Sequence, residues 1–166
     1  MCIITDYASG GTLQRALNAR KGVNGAPDRL IAPDIALTWT AQLCSAMHAI
    51  HAVKVLHRDV KPSNIFLNHK GQIRLGDFGL ARQLLGSRSG RDTLAQTTCG
   101  TPYYMAPEQV TAQRYSYAAD VWAYGCCVFE IFTLQRPFVG SSFPLLARII
   151  VEGDTGMDAR QAALLE

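Results

Sequence analysis

A mixed α+β fold in which helix dominates is predicted by three features of the chain. Pro33 opens a stretch in which Leu37, Ala41, Cys44, Met47 and Ile50 recur at three- and four-residue intervals, the spacing of one helical face. Two further apolar stretches, residues 118–132 and 143–151, are long enough for helices. The β-prone runs, at 53–56, 65–67 and 73–75, are short and suit antiparallel hairpins.

Along the chain, residues 2–5 form a brief β-prone run that Asp6-Tyr7-Ala8-Ser9-Gly10-Gly11 breaks with turn residues. Residues 13–20 follow as a short helix, with Thr12 suited to cap its N-terminus. Gly22, Gly25 and Pro27 make 21–31 a loop, and Pro33 suits the first turn of the long helix. Asn68-His69-Lys70-Gly71 joins the last two β runs as a hairpin turn. Residues 86–96, with Ser87, Ser89, Gly90 and Asp92, lack periodicity and are expected to form a mobile surface segment. The helix at 118–132 carries Asp120 and Trp122, and the chain has no internal repeat or low-complexity tract.

Composition narrows the function classes. With 166 residues and 48% hydrophobic content, the chain is sized for one domain, 1–166, with a substantial core. Its charged fraction, 17%, lies below the roughly 25% of soluble domains, as a lobe separated from a partner surface would. The net charge of +3 is small, and Arg15, Arg20, Lys21, Arg82, Arg88 and Arg91 are scattered, so no nucleic-acid partner is expected. The cysteines, Cys2, Cys44, Cys99, Cys126 and Cys127, are odd in number and form no C-x-x-C pair, which indicates neither zinc nor a disulfide framework. The N-terminus lacks the pattern of a signal peptide, position 2 is Cys where myristoylation needs Gly, and no apolar run approaches about 18 residues. No membrane partner is expected; the default is a cytoplasmic protein, with a nuclear or cytoskeleton-associated one as variants.

Three motifs carry the chemistry, in fixed order: His57-Arg58-Asp59-Val60-Lys61-Pro62-Ser63-Asn64, then Asp77-Phe78-Gly79, then Ala106-Pro107-Glu108. Any one acidic residue among them reads most simply as a solvated loop carboxylate, and Asn64 alone as a cap. The ordered set does not, and it resembles the protein kinase family. The runs Leu75 to Arg82, Gly100 to Glu108, Asp120 to Cys126 and Asn64-Ile65-Phe66-Leu67 narrow the resemblance to the NIMA-related (Nek) kinases, over about residues 2–153. It implies a C-terminal lobe that is mainly α with short β-hairpins, preceded by the hinge, with the small lobe missing. Gly10-Gly11, Gly22 and Gly25 do not make a G-x-G-x-x-G, and no V-A-I-K strand precedes His57.

The resemblance implies a Ser/Thr protein kinase that transfers the γ-phosphate of ATP to protein substrates with Mg²⁺. Asp59 would accept or orient the substrate hydroxyl proton, Lys61 would reach the γ-phosphate, and Asn64 and Asp77 would hold Mg²⁺. Asp6, Tyr7 and Ala8 would form the adenine-binding hinge, with Thr5 the gatekeeper. Phe66 would be the floor under the ring; ordinary core packing is an equal reading for it. Arg58 before Asp59 marks the subset in which a loop phosphate orders a basic cluster, with Thr97 first and Thr98 second as phosphosites. Both also read as unmodified loop threonines. Thr101 would contact the catalytic loop in substrate docking, and Nek-like kinship implies microtubule, ciliary or cell-cycle roles.

Departures from the family pattern shape the expectation. Thr12 stands where an acidic residue often holds the ribose, and 21–31 is longer and richer in Gly and Pro than expected. Beyond Asp154 the likeness fades; the lobe's final helices are absent, which would leave Glu108 without its usual Arg. One lost charge-stabilising donor typically costs about 10²- to 10³-fold, and here the strand Lys, its Glu partner and the Gly-rich cover are all missing, so the chain alone is expected to be weak or inactive. Apolar surface around Ile4, Phe66 and Phe78 would then invite a partner that covers the exposed lobe face. The alternatives are a non-catalytic kinase-derived binding or regulatory module and a gene-model fragment. A binding module has no chemical need to keep Asp59, Lys61, Asn64 and Asp77 together.

Overall fold

Helix α2 (Pro33–Ala52) organises the computed structural model, which describes residues 7–22, 30–83, 102–113 and 116–156. The expected strand at 2–5 and segment at 86–96 lie outside these residues. Pro33 costs the helix nothing at its first turn, where the missing N–H has no intrahelical partner, and Asp34 complements the positive end of the dipole. The buried stripe is Ala36, Trp39, Leu43 and Met47. That corrects the expected face, because Leu37, Ala41 and Cys44 are exposed. Both stripes have helical spacing and share Met47. The one with Trp39 wins because the ring buries a large area and its Nε1 donates to the Gly71 carbonyl at 2.8 Å.

Helix α1 (Leu13–Asn18) starts as expected, with Thr12 Oγ1 accepting from the Arg15 N–H at 3.2 Å, and buries Leu13 and Leu17. It ends two residues early; Arg20 and Lys21 continue only as a turn, through N–H bonds to the Leu17 and Asn18 carbonyls. Strand β1 is Val55–Leu56, shorter than the expected 53–56, since Val53 and Lys54 make the turn that closes α2. It pairs antiparallel with β4 (Arg82–Gln83).

Strands β2 (Ile65–Leu67) and β3 (Ile73–Leu75) form the expected antiparallel hairpin, with Ile65 opposite Leu75 and Phe66 opposite Arg74. Asn68 Oδ1 builds the turn by accepting from the Lys70 and Gln72 N–H groups, both at 2.9 Å, and Gly71 supplies the left-handed residue at φ 72°. Helix α2 holds the hairpin from outside: besides the Trp39 bond, Gln42 Oε1 accepts from the Ile73 N–H at 2.8 Å.

Helix α4 (Tyr117–Thr133), capped by Ser116, runs against α2, and α5 (Phe143–Glu152), capped by Ser142, packs on the far side together with the short α3 (Pro107–Val110). One cluster gathers Leu17, Leu43, Met47, Ile65, Cys127 and Ile131 between α1, α2, β2 and α4. A second gathers Cys126, Phe138, Leu146 and Ile150 around Trp122, whose ring stacks on Phe138 at 5.4 Å. Each fully buried Leu or Ile contributes about 1.5–3 kcal/mol, so these clusters fix the helices on which the loops are mounted. No described helix is long and apolar enough to cross a membrane.

Candidate active site

The loop from His57 to Asn64 is pinned from below by Asp120, a carboxylate only 3% exposed in the first turn of α4. Asp120 Oδ2 accepts from the His57 N–H at 2.9 Å and Oδ1 from the Arg58 N–H at 2.9 Å. His51, near the end of α2, donates Nε2 to Oδ2 at 2.9 Å. A buried carboxylate is tolerated only when donors satisfy it, and here three do. The bonds hold Arg58 in the left-handed region at φ 72°, a conformation that costs a non-glycine residue about 1–3 kcal/mol unless its surroundings impose it.

His57 is fully buried and joins two motifs. Its Nε2 lies 3.0 Å from the Gly76 carbonyl, which can only accept, so the proton sits on Nε2 and Nδ1 is left to accept from the Asp59 N–H at 3.4 Å. Its ring also packs on Phe78, at 4.9 Å between centroids. The loop continues through buried Val60 and Pro62 into a 3₁₀ turn at Pro62–Asn64.

Asp59, Lys61 and Asn64 converge. Asn64 Nδ2 donates to the Asp59 backbone carbonyl at 2.9 Å and to Asp59 Oδ2 at 2.8 Å, and Lys61 Nζ meets the same Oδ2 at 2.8 Å. Both amide hydrogens of Asn64 are therefore spent on Asp59, which leaves its Oδ1 as an oxygen donor. The β2–β3 hairpin brings Asp77 alongside: the Gly76 N–H donates to the Asn64 carbonyl at 3.0 Å, so Asn64 and Asp77 flank the open end of one hairpin. Asp77 is left-handed at φ 58°, and its Oδ1 accepts from the Gly79 N–H at 3.4 Å.

This donor set fits Mg²⁺. A carboxylate and an amide oxygen are hard ligands, and two of them suit an ion that keeps waters and takes phosphate oxygens. Among the described residues no group of three or more His, Cys, Asp or Glu side chains forms a closed metal cage.

Residues 10–12 pair with β2. Gly10 N–H donates to the Leu67 carbonyl at 2.9 Å, Leu67 N–H to the Gly11 carbonyl at 2.8 Å, and Thr12 faces Phe66 across a bridge. A Cβ at Gly10 would lie 2.7 Å from the Leu67 oxygen, which explains the glycine. Phe66 is half-buried beside this segment, and a Cβ at Gly76 would lie 2.9 Å from its ring. Tyr7 is 90% exposed and Ala8 accepts from the Gly11 N–H at 3.1 Å. Thr5, Asp6, Ile4, Thr97, Thr98 and Thr101 lie outside the described residues. Phe78 is 45% exposed, and Glu108 makes no ion pair among the described residues.

Tyr104 donates its hydroxyl to Glu130 Oε2 at 2.6 Å, and Lys21 Nζ lies 3.4 Å from Oε1. Burial, followed by the Glu130 charge, holds the Tyr104 phenol well above its ordinary range, so it stays a donor. Burial also pushes the neighbouring Cys126 thiol up to about 12. Sequence reasoning missed the roles of Asp120, His51, Glu130, Tyr104 and Lys21. The available signal was that Asp120 and Glu130 are acids inside an otherwise apolar helix, where only a satisfied carboxylate is stable.

Comparison with known proteins agrees. The family model of the protein kinase domain matches residues 1–154. The chain is 40% identical over 151 residues to serine/threonine-protein kinase Nek1 of Mus musculus, covering 91% of this chain and 12% of that one. It is 38% identical over 151 residues to Nek3 of Mus musculus, covering 91% and 28%, and 39% identical over 145 residues to Nek5 of Homo sapiens, covering 87% and 19%. It thus spans less than a third of the length of each of these relatives. With motif order, loop geometry and similarity in agreement, the chain belongs to the protein kinase family and, within it, is similar to the Nek serine/threonine kinases.

Proposed function

We propose that this chain carries the phosphoryl-transfer half-site of a Ser/Thr protein kinase, acting on Ser or Thr hydroxyls of protein substrates with ATP. The observation that carries the reading is the double donation of Asn64 to Asp59, which welds the hydroxyl-orienting carboxylate to an oxygen donor for the metal. Asp59 Oδ2 is occupied by Lys61 and Asn64, and Oδ1 is the oxygen for the substrate proton. Lys61 stands beside that carboxylate, positioned to meet the γ-phosphate as charge develops on it. Asn64 and Asp77 would hold Mg²⁺, whose contribution when bound is to bridge and neutralise the phosphates. Phe66, with Gly10 to Thr12 paired along β2, would form one wall of the adenine site. The free thiols of Cys44, Cys126 and Cys127 support a reducing compartment, cytoplasm or nucleus.

The test is calorimetric titration of the chain with Mg²⁺-ATP beside Asp77→Ala, with phosphate transfer to a generic protein substrate followed in parallel. Binding that the variant abolishes is the expected result. A cooperatively folded chain that binds no Mg²⁺-ATP would overturn the reading and leave a module that works through its surface.

A further inference from the structure

Glu130 is the second buried carboxylate of α4, fully shielded from solvent, and among the described residues shares no bonding partner with Asp120. An ionised carboxylate in such a place requires a counter-charge and donors. Two other parts of the chain supply them, one to each oxygen: Lys21 from the turn after α1, and Tyr104 from the segment that leads into α3. Lys21 is partly exposed, at 25%, so it reaches Glu130 from the surface. Arg136 adds positive charge nearby, stacked over the adjacent Tyr103 ring at 3.9 Å, and the Cys126 and Cys127 thiols beside Glu130 are kept neutral by burial.

We propose that Lys21 is a positioning residue for protein substrate: by neutralising Glu130 it keeps the Tyr104 bond formed, and so fixes the 102–106 segment, whose Tyr104 packs against the core cluster that holds Val60 of the His57–Asn64 loop. The proposal rests on the kinase reading above. Tyr104 lies within the turn that Met105 closes on the Pro102 carbonyl, two residues before α3 begins its N–H bonds to Ala106, so its hydroxyl anchors both. Residue 21 touches neither Asp59 nor the metal donors, and its effect travels through Glu130 alone.

The test compares Lys21→Met, Lys21→Arg and Tyr104→Phe by amide hydrogen exchange and by separate KM values for ATP and a peptide substrate. Lys21→Met is expected to speed exchange at Met105, Gln109 and Val110 while α2 stays protected. It should raise the peptide KM about tenfold, the scale of one charged hydrogen bond, with the ATP KM unchanged. Lys21→Arg should restore both. Tyr104→Phe keeps the Lys21 pair and removes only the bond, so it should loosen the same amides and separates positioning from loss of fold. Unchanged exchange at 102–111 in Lys21→Met or in Tyr104→Phe, or a rise shared equally by α2, would overturn the proposal. If the unaltered chain transfers no phosphate, the exchange arm still decides this proposal, and it is the kinase reading that fails.

Discussion

Replacing Asp120 by Ala removes the carboxylate under the His57–Asn64 loop and orphans two backbone donors, the buried N–H of His57 and the partly buried N–H of Arg58, both bonded at 2.9 Å. A hydrogen bond to a charged group is worth about 1.5–3 kcal/mol net, so the pair amounts to about 3–6 kcal/mol. His51 Nε2 loses its partner as well, but as a less buried side chain it can turn towards water. A domain of ordinary stability has only about 5–15 kcal/mol in total, so the variant should be badly weakened though still able to fold. Asp120→Asn keeps one acceptor and turns the other into a donor facing an N–H, so it should recover at most half of the loss. Urea unfolding gives the measurement, as a lowered midpoint with the slope m preserved. Released from Asp120, Arg58 would relax from φ 72° and carry Asp59 out of register, so activity per folded molecule should fall too. A loss below about 1 kcal/mol at unchanged m, or full activity in the folded fraction, would refute the idea that Asp120 both holds and places this loop.

Gly76→Ala puts a Cβ 2.9 Å from the Phe66 ring, an overpacking that should cost about 1–3 kcal/mol and tilt the ring; a thermal melt and the nucleotide dissociation constant check it together. Among the described cysteines, a maleimide at neutral pH should label exposed Cys44 first and reach Cys126 and Cys127 only on unfolding, as peptide mapping would show. Stability should decline in alkali. Burial first, and Glu130 next, raise the folded Cys126 thiol from its ordinary 9.0 to about 12, so the folded chain holds that proton more tightly than the unfolded one. Its contribution is complete below pH 9 and disappears as pH rises towards 12, with raised Tyr104 adding the same sign from about pH 10; denaturation midpoints taken from pH 8 to 11 test it.

What was legible in the sequence, and what was not, follows from how far each residue must look for its partner. Asp59, Lys61 and Asn64 lie within five positions of one another, so their convergence is a local property of the loop that the motif encodes. The β2–β3 hairpin was legible because Asn68 and Gly71 fix its turn by their own chemistry. The face of α2 was not, since stripes through Leu37 and through Trp39 both satisfy helical spacing and only the location of Gly71 chooses between them. Two-residue strands such as β1 and β4 are too short for alternation to register, which hid their pairing. Asp120 and Glu130 are further still: their partners lie 26 to 109 residues away, and the one local sign, an acid inside an otherwise apolar helix, does not name those partners.

The two left-handed residues of the site, Arg58 and Asp77, show why those distant anchors matter for chemistry. Neither is glycine, and each conformation would be abandoned by an isolated loop. Arg58 is held because Asp120 takes the N–H groups of His57 and Arg58 while His57 Nδ1 takes that of Asp59; Asp77 is held because Gly76 is bonded through its N–H to Asn64 and through its carbonyl to His57. His57 is thus bound at its backbone to the helix α4 and at its ring to the hairpin end, so the Asp59 and Asp77 segments cannot shift independently. The proposed function, which needs Asp59 to orient a hydroxyl and Asn64 and Asp77 to hold a metal in one geometry, gains from such a shared post, since misplacement of a reacting group by about 1 Å can cost a hundredfold in rate. The short 3₁₀ turns and strained backbone around Asp59 and Asp77 are therefore set by α2 and α4, and a change in those helices should reach the chemistry through His57 before it reaches any residue that touches substrate.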